Sequence, residues 1–488
     1  MLELAVFLCG AVVMVLEMVG SRILAPYLGS SIIVWTSLIG IILASLSIGY
    51  WWGGIKADRG ASRKSLSAII VLAAFCIAGI ALVKSFLLSF LQDYASHIQI
   101  TSAVATIILF APPSVLLGMV SPYAVKLRLS SLDNSANTVG RLYAISTAGS
   151  ILGTFLGGFF MIAYFGSTRI LYVLCIVLVM ASLAVSTGEK ILKASALSLF
   201  VLLTILSASY EKYLAGQGFH DIDSNYSRIV VWDAQSIGSG TIRIMTTHPR
   251  AMQSAVRLDA PNELLLPYTR FFEMAFHFKP NATRFLVLGG GGYSFPKYLL
   301  ANYPRATVDV VEIDPKVTEL ARDYFCLTDD PRLNVIHEDA RSALRKLRAG
   351  YDVILVDVFN SHYSIPFHLT TRETAQLLRE KLADDGVVIL NILSAIEGRE
   401  GRFLRAEYAT YQSVFGSIGL YPVGDPQEGA VWQNIMLVAV KSSQEPDFSG
   451  EKSRFPELLS HLWKKPVAND MLPLTDDFAP VELLAIGR

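Results

Sequence analysis

The sequence has few charged residues and no excess of either sign. Charged residues make up 17% of its 488 positions, and 41 lysines and arginines balance 41 aspartates and glutamates. Because no basic surplus is available to displace counterions from phosphates, the composition gives no support for a nucleic-acid partner. The cysteines lack the spacing of metal ligands, so we expect neither a disulfide framework nor a metal site. They are Cys9, Cys76, Cys175 and Cys326.

Apolar residues are abundant instead, and they are unevenly distributed. They form 52% of the chain, which is more than an ordinary soluble enzyme carries. Long apolar runs fill the first part of the chain, and short β-type runs alternating with charged helical segments follow. We therefore predict an all-α transmembrane bundle over residues 1–210, a small β-sheet with a linking helix over 211–280, and an α/β domain over 281–488.

Seven segments are long and apolar enough to cross a bilayer, which takes about 20 residues. We expect no cleaved signal peptide, because further apolar segments follow the first one directly. Gly149, Gly153 and Gly157 recur every four positions, which predicts a face where a neighbouring helix packs closely. Pro112 and Pro113 predict a kink or a break in the fourth segment. The segments are residues 3–25, 31–54, 65–91, 100–125, 140–165, 168–187 and 191–209.

Two charged residues, Glu17 and Arg22, lie within the first apolar segment. A carboxylate at this depth is costly unless it is paired or faces a polar cavity. One interpretation is structural, with Glu17 paired to Arg22 or in contact with another helix. The alternative is a polar site inside the bundle.

The second half of the sequence has the pattern of a parallel α/β sheet preceded by a small antiparallel sheet. Residues 226–232 and 240–245 predict antiparallel strands, and a helix is expected from Glu263 to about Phe278. Near-continuous apolar strands alternating with helices then predict a parallel sheet that is covered on both faces. The predicted strands are residues 284–288, 307–311, 333–336, 353–356 and 387–390, with helices at 294–302 and 315–324.

The residues that follow these strands suit a nucleoside, because ligands of such sheets bind at the carboxyl ends of the strands. The glycines after the first strand, Gly289, Gly290 and Gly291, allow close approach to the backbone at a helix N-terminus. Glu312 ends the second strand, where a carboxylate can accept hydrogen bonds from ribose hydroxyls. Asp339 follows the third strand and Asp357 ends the fourth. Together, the glycines and the three acids predict a nucleoside site.

Four of these segments, residues 288–292, 311–315, 337–340 and 351–357, resemble the nucleotide-binding core of spermidine synthases, the polyamine aminopropyltransferases. Residues 252–254 and 268–270 resemble the substrate side of that family. Residues 365–371 and 474–480 resemble its membrane-fused branch, in which the catalytic domain follows a helical bundle. The resemblance implies a Rossmann-like fold of the class I methyltransferase and spermidine synthase type.

By that resemblance, S-adenosylmethionine or its decarboxylated form would be the substrate that supplies the nucleoside. Gly289, Gly290, Gly291 and Glu312 would bind it on the ribose side, and Asp339 and Ala340 would bind its adenine. Asp357 would lie at the catalytic centre, where it would either orient and deprotonate an incoming amine or bind the ammonium group of the cofactor. Tyr268 and Gln253 would line the same cavity. The reaction implied is attack at a carbon next to the sulfonium, with no metal and with methylthioadenosine as the leaving product.

The sequence also departs from the pattern of that family. Gly292 stands where the glycine loop usually has an acid, and Asn360 stands where the segment after Asp357 has its second acid. Without the loop acid, a methionine carboxylate would meet less repulsion, so we hypothesise that ordinary S-adenosylmethionine is used. His362 and His368 flank this region and are interpreted either as acid–base groups or as packing residues.

Four functions stay open on the sequence. The first is aminopropyltransferase-like transfer to an amine, and the second is a lyase reaction that gives methylthioadenosine and a lactone or an unsaturated amino acid. The third is methyl transfer to a lipid or quinone, and the fourth is a non-enzymatic sensor that gates a transporter-like bundle. The expected partners are the lipid bilayer, a small-molecule substrate and a second copy of the chain.

Basic residues concentrate in three loops, near residues 56–64, 126–141 and 190–193. This predicts that these loops and the N-terminus face the cytoplasm. Seven complete crossings would then leave the rest of the chain outside, away from a nucleoside. We expect an integral protein of the bacterial inner membrane with a cytoplasmic catalytic domain, which requires that one segment does not cross or that the count is wrong by one.

Overall fold

The computed structural model describes residues 1–94, 97–129, 135–236, 240–248, 251–358, 365–450 and 453–485. The chain forms two compact units, Met1–Ile229 and Val230–Arg488, which are called here the helical unit and the α/β unit. The predicted division at residues 210 and 280 is finer than this one and stays a prediction.

Within the described residues, the helical unit has seven spans of 19 to 31 residues that are apolar enough to cross a membrane. At 1.5 Å per residue these lengths are enough to cross a hydrocarbon core about 30 Å thick. The predicted N-terminal helical region is therefore confirmed. Its helices are α1 (Leu2–Leu28), α2 (Ile32–Gly60), α3 (Arg63–Tyr94), α4 (Ile98–Gly118), α5 (Val120–Arg128), α6 (Ser135–Leu156), α7 (Ile162–Tyr164), α8 (Ser167–Val185) and α9 (Lys190–Gly216).

The predicted glycine face packs against α1. A Cβ atom added at Gly149 would collide with the carbonyl oxygen of Phe7, and one at Gly153 would collide with that of Ala11. Only a residue without a side chain allows the two backbones to approach this closely. The prediction of a close helix contact is confirmed at Gly149 and Gly153, whereas a Cβ at Gly157 would lie at an ordinary contact distance from Val15.

Two further expectations for the bundle need correction. Helix α4 continues through Pro112 and Pro113 and ends at Gly118. The break in the fourth span therefore lies several residues beyond the prolines, while a kink at the prolines stays a prediction. The Arg22 guanidinium donates to the Ser224 carbonyl oxygen at 2.6 Å. No ion pair between Glu17 and Arg22 occurs among the described residues of the unit.

The short strand β1 (His220–Asp223) follows α9 in the helical unit. Strands β2 (Arg228–Ser236), β3 (Gly240–Thr246) and β4 (Ser254–Arg257) pair antiparallel, which confirms the small sheet. The linking helix begins later than predicted, at α10 (Pro267–Phe271) rather than at Glu263, and continues through a 3-10 turn to α11 (Ala275–Phe278). Proline at the first helical position disfavours helical geometry in Leu266, whose ψ is 127°.

The central sheet of the α/β unit has the strand order β10-β11-β9-β8-β5-β6-β7. The five strands β5 to β9 are parallel neighbours, as predicted. Strands β10 and β11 add an antiparallel edge that was not predicted from the sequence. The strands are β5 (Arg284–Leu288), β6 (Thr307–Val311), β7 (Leu333–Ile336), β8 (Tyr351–Val356), β9 (Leu382–Ser394), β10 (Ile418–Pro422) and β11 (Gln433–Val440).

The helices of the unit alternate with these strands. Consecutive residues of β5 and β8 are buried, which shows that the sheet is covered on both faces. The chain leaves β5 towards β6 on one side and returns to β8 on the other, so the carboxyl ends of β5 and β8 form the crevice where such folds bind ligands. The remaining helices are α12 (Ser294–Asn302), α13 (Pro315–Tyr324), α14 (Ala340–Lys346), α15 (Arg372–Lys381), α16 (Arg402–Phe415), α17 (Pro456–Leu459) and α18 (Val481–Ala485).

Candidate active site

The glycine loop turns sharply at the carboxyl end of β5. Gly289 has a φ of 94°, and a Cβ there would collide with the carbonyl oxygen of Asp357. Gly291 has a φ of 50°, a conformation that glycine adopts without strain. The Gly292 N–H donates to the Ser254 hydroxyl at 2.8 Å. Strand β4 of the small sheet therefore fixes the loop from one side through Ser254, and the predicted role of the preceding Gln253 stays a prediction.

Glu312, at the end of β6, binds the glycine loop through its carboxylate. Its Oε2 atom accepts the Gly290 N–H at 2.8 Å and its Oε1 atom accepts the Asp314 N–H at 2.9 Å. Burial raises the pKa of Glu312, and these hydrogen bonds offset the effect only partly. Each carboxylate oxygen can accept a further hydrogen bond. The geometry therefore suits the predicted role of a ribose acceptor.

Asp357, directly after β8, is held by donors from two other elements. Its Oδ1 atom accepts from the Asn391 amide at 2.9 Å, and its Oδ2 atom accepts from the Tyr268 hydroxyl at 3.0 Å. Asn391 lies on β9 and in turn accepts from the Asn434 amide on β11 at 2.9 Å. Burial raises the pKa of Asp357, while the hydrogen bonds from Asn391 and Tyr268 lower it. The net increase favours a carboxylate that accepts a proton readily.

Asp339 begins helix α14 and has both carboxylate oxygens hydrogen-bonded. Its Oδ1 atom accepts the Ser342 N–H at 2.9 Å, and its Oδ2 atom lies 2.9 Å from His368 Nε2. Burial raises the pKa of Asp339, but the hydrogen bonds from Ser342 and His368 outweigh it, so the pKa is lowered. Ala340, the next residue, is buried at the start of the helix. Asp339 is thus held as an anion, which suits an acceptor for an exocyclic amino group.

Tyr293 fills the space beneath the glycine loop. It adopts a φ of 54°, and its fully buried ring lies where a Cβ at Gly290 would be. Its hydroxyl pairs with the Thr318 hydroxyl at 2.7 Å. This buried tyrosine therefore supports the glycine loop by packing.

The structure brings together most of the residues that the sequence predicts for the site. The loop glycines, Glu312, Asp357 and Tyr268 lie at the carboxyl ends of adjacent strands or contact residues there. Asn391, Asn434 and the hydroxyl of Ser254 were not predicted. Asn360, Ser361 and His362 lie outside the described residues. The part of the chain that the structure describes contains no group of three or more His, Cys, Asp or Glu residues placed to hold a metal.

The chemistry available at this site follows from its three acids. Glu312 and the loop backbone can bind a ribose, and Asp339 can accept from an adenine amino group. Asp357 lies between an aromatic hydroxyl and a carboxamide, where a carboxylate can orient an amine and take up its proton. The arrangement therefore fits transfer chemistry on an adenosine-containing substrate.

Comparison with known families supports this interpretation. The sequence profile of the Spermine/spermidine synthase domain matches residues 269–410. Polyamine aminopropyltransferase of Vibrio vulnificus (strain CMCP6) is 30% identical over 308 residues, which cover 58% of this chain and 97% of the relative. Polyamine aminopropyltransferase 1 of Streptomyces coelicolor is 23% identical over 420 residues, 80% of this chain and 75% of the relative. An alignment of that length extends into the helical unit.

Two solved structures are similar to part of the chain. A probable spermidine synthase from Corynebacterium glutamicum matches with a TM-score of 0.40 and 23% identity, covering 44% of this chain and 78% of that structure. Spermidine synthase from Thermotoga maritima matches with a TM-score of 0.37 and 19% identity, covering 55% of this chain and 82% of that structure.

Proposed function

The chain belongs to the polyamine aminopropyltransferase family, a family of transferase enzymes, and on that basis we propose that its α/β unit transfers the alkyl arm of an S-adenosyl nucleoside to an amine. The nucleoside is S-adenosylmethionine or its decarboxylated form. The observation that carries the proposal is Asp357, a carboxylate held by Tyr268 and Asn391 at the carboxyl edge of the sheet, beside the glycine loop.

In the proposed reaction, the amine nitrogen attacks the methylene carbon next to the sulfonium. The new C–N bond forms as the C–S bond breaks, and the sulfur keeps the bonding electrons and leaves as the thioether of methylthioadenosine. The proton lost by the amine passes to Asp357. The sulfonium is already a good leaving group, so positioning and proton removal supply most of the catalysis. The raised pKa of Asp357 suits it to that proton transfer.

The glycine loop supports the use of a substrate that still carries its carboxylate. Gly292 lies where the family usually has an acid, and its N–H is bound to Ser254. With no carboxylate at this position, a methionine carboxyl group meets no like charge there. If S-adenosylmethionine is the substrate, the transferred group is 3-amino-3-carboxypropyl rather than aminopropyl.

We further propose that the protein is integral to the bacterial inner membrane through its helical unit. The seven apolar helices support this, as do the many large apolar side chains exposed on their outer faces, such as Phe86 and Phe159, which are each 77% exposed. In water such a surface would aggregate, whereas a bilayer covers it.

The experiment uses the detergent-purified full-length protein and identifies products by mass spectrometry. Decarboxylated S-adenosylmethionine with putrescine, and S-adenosylmethionine with putrescine, are expected to give methylthioadenosine together with the alkylated diamine from at least one donor. Methylthioadenosine from S-adenosylmethionine without any amine would indicate the lyase reaction instead. S-adenosylhomocysteine as the nucleoside product would mean methyl transfer and would contradict the proposal.

Asp357→Asn separates catalysis from binding. It preserves the shape of the side chain but removes the base, so we expect turnover to fall by about 10²- to 10⁴-fold while nucleoside binding persists. The matched control is Asp384→Asn, whose side chain is fully exposed. Unchanged turnover in Asp357→Asn would exclude the proposed role of this residue.

A further inference from the structure

His368 contacts the predicted adenine acceptor directly. Its Nε2 atom lies 2.9 Å from Asp339 Oδ2, while the other oxygen of Asp339 is committed to the Ser342 N–H of helix α14. The two donors therefore fix the orientation of the Asp339 carboxylate. A donor on Oδ2 also keeps Asp339 in its anionic, accepting form.

The backbone of His368 is itself held from two sides. Its carbonyl oxygen accepts from the Arg341 guanidinium at 3.1 Å and from the Thr374 hydroxyl at 2.6 Å. Arg341 follows Asp339 by two residues on α14, and Thr374 lies in α15. These contacts fix the position from which the imidazole reaches Asp339.

Arg341 is positioned in turn by the C-terminal segment of the chain. Its guanidinium forms a two-pronged ion pair with Asp476, at 2.6 Å and 2.5 Å. Asp476 also accepts from the Thr371 hydroxyl at 2.8 Å. The arginine side chain is 11% exposed, so removing its partner would leave a largely buried cation with its charge uncompensated. A continuous path of contacts thus runs from Asp476 through Arg341 and His368 to Asp339.

From this path we infer that His368 is a specificity-determining residue for adenine, and that Arg341 and Asp476 are positioning residues that act through it. The inference rests on the proposed function, since it deepens the recognition of the nucleoside. A carboxylate held as an acceptor pairs with the 6-amino group of adenine and repels the 6-oxo group of hypoxanthine. His368 therefore sets the preference for a 6-aminopurine by orienting Asp339 and keeping it ionised.

The test compares equilibrium binding of methylthioadenosine and methylthioinosine to the full-length protein in detergent. The parent protein should prefer methylthioadenosine. In His368→Ala, affinity for methylthioadenosine should fall by about tenfold or more, as expected for a lost contact to a charged group, while affinity for methylthioinosine changes little. His368→Gln, which restores an N–H donor, should recover part of the preference.

Asp476→Asn should reduce the same preference to a smaller degree, because the asparagine keeps one acceptor for Arg341. The matched control is the neighbouring Asp477→Asn, an exposed position that should leave both affinities unchanged. Thermal unfolding of each variant shows whether the fold persists. A merely structural role for His368 would lower both affinities equally and leave their ratio unchanged, which would overturn the inference but not the proposed function. A parent protein that binds neither nucleoside would overturn both.

Discussion

Replacing Asn391 with leucine should shift the pH dependence of the enzyme. Asn391 is 7% exposed and donates to Asp357 Oδ1 at 2.9 Å. Leucine is similar in size but has no donor, so the ionised form of Asp357 loses a hydrogen bond to a charged group, which contributes about 1.5–3 kcal/mol. A pKa shift of one unit corresponds to about 1.4 kcal/mol of difference in stabilisation between the two protonation states. The pKa of Asp357, which burial already raises, should therefore rise further by about one to two units.

The assay is the pH profile of the turnover rate. Asp357 must be ionised to accept a proton, so the rate falls as the pH decreases through its pKa. In Asn391→Leu this acidic limb should move to higher pH by the same amount, about one to two units. The effect on the rate at alkaline pH should be smaller. Asn434→Ala removes only the donor to Asn391, so it should move the limb less.

Stability should show the same linkage. A carboxyl group whose pKa is raised on folding destabilises the native state as the pH rises above its unfolded pKa, because the folded form resists ionisation. Asn391→Leu should therefore lose more stability near neutral pH than near pH 4, when compared with the parent protein. An acidic limb that stays in place in the variant would refute the reasoning, because it would show that Asp357 does not control the rate through its ionisation.

Three further predictions concern other parts of the molecule. In the bundle, Gly149→Ala should lower the thermal unfolding midpoint by the equivalent of about 1–3 kcal/mol, because its Cβ meets the Phe7 backbone, whereas Gly140→Ala on the same helix has open space and should not. Both oxygens of Glu407 are buried without a hydrogen-bond partner among the described residues, and burial raises its pKa well above the usual value. Glu407→Gln should therefore stabilise the protein, with a gain that grows as the pH rises from 5 to 8 and vanishes in acid, as measured by unfolding at each pH. Cys326 is exposed in the α/β unit. If that unit is cytoplasmic, a membrane-impermeant maleimide should label Cys326 in inverted vesicles and not in spheroplasts, and the Cys326→Ser variant should remain unlabelled in both. The reverse pattern would mean that all seven helices cross the membrane.

The sequence was sufficient to predict the elements whose signal is local. Each apolar span, the glycine repeat on α6 and the strands from β5 to β9 depend on residues close together along the chain. The acids at the strand ends could be predicted for the same reason, because the carboxyl ends of parallel strands share one edge of the sheet. The edge strands β10 and β11 were missed because they pair antiparallel, so they lack the strand–helix–strand spacing from which the parallel strands were predicted.

The polar contacts across the sheet could not be predicted in this way. Asn391 lies 34 residues from Asp357 and 43 from Asn434, inside strands that are otherwise apolar. The sequence around such an asparagine does not indicate whether its side chain contacts the site or only ends a strand. The pair of Arg341 and Asp476 spans 135 residues. Only the order of the strands and the return of the C-terminal segment bring these groups together.

The three acids of the site are distinguished by their surroundings rather than by their type. Burial raises the pKa of Glu312 and that of Asp357, whereas donors from Ser342 and His368 lower the pKa of Asp339 despite burial. Groups whose environments move their pKa values in opposite directions are suited to different tasks. Asp339 stays an anion and can only accept, which suits recognition of an amino group. Asp357 holds a proton more readily, which suits a base that must receive one during the reaction. This division between recognition and proton transfer follows from donors contributed by Ser342 and His368 at Asp339, and from burial at Asp357, which outweighs the hydrogen bonds from Asn391 and Tyr268.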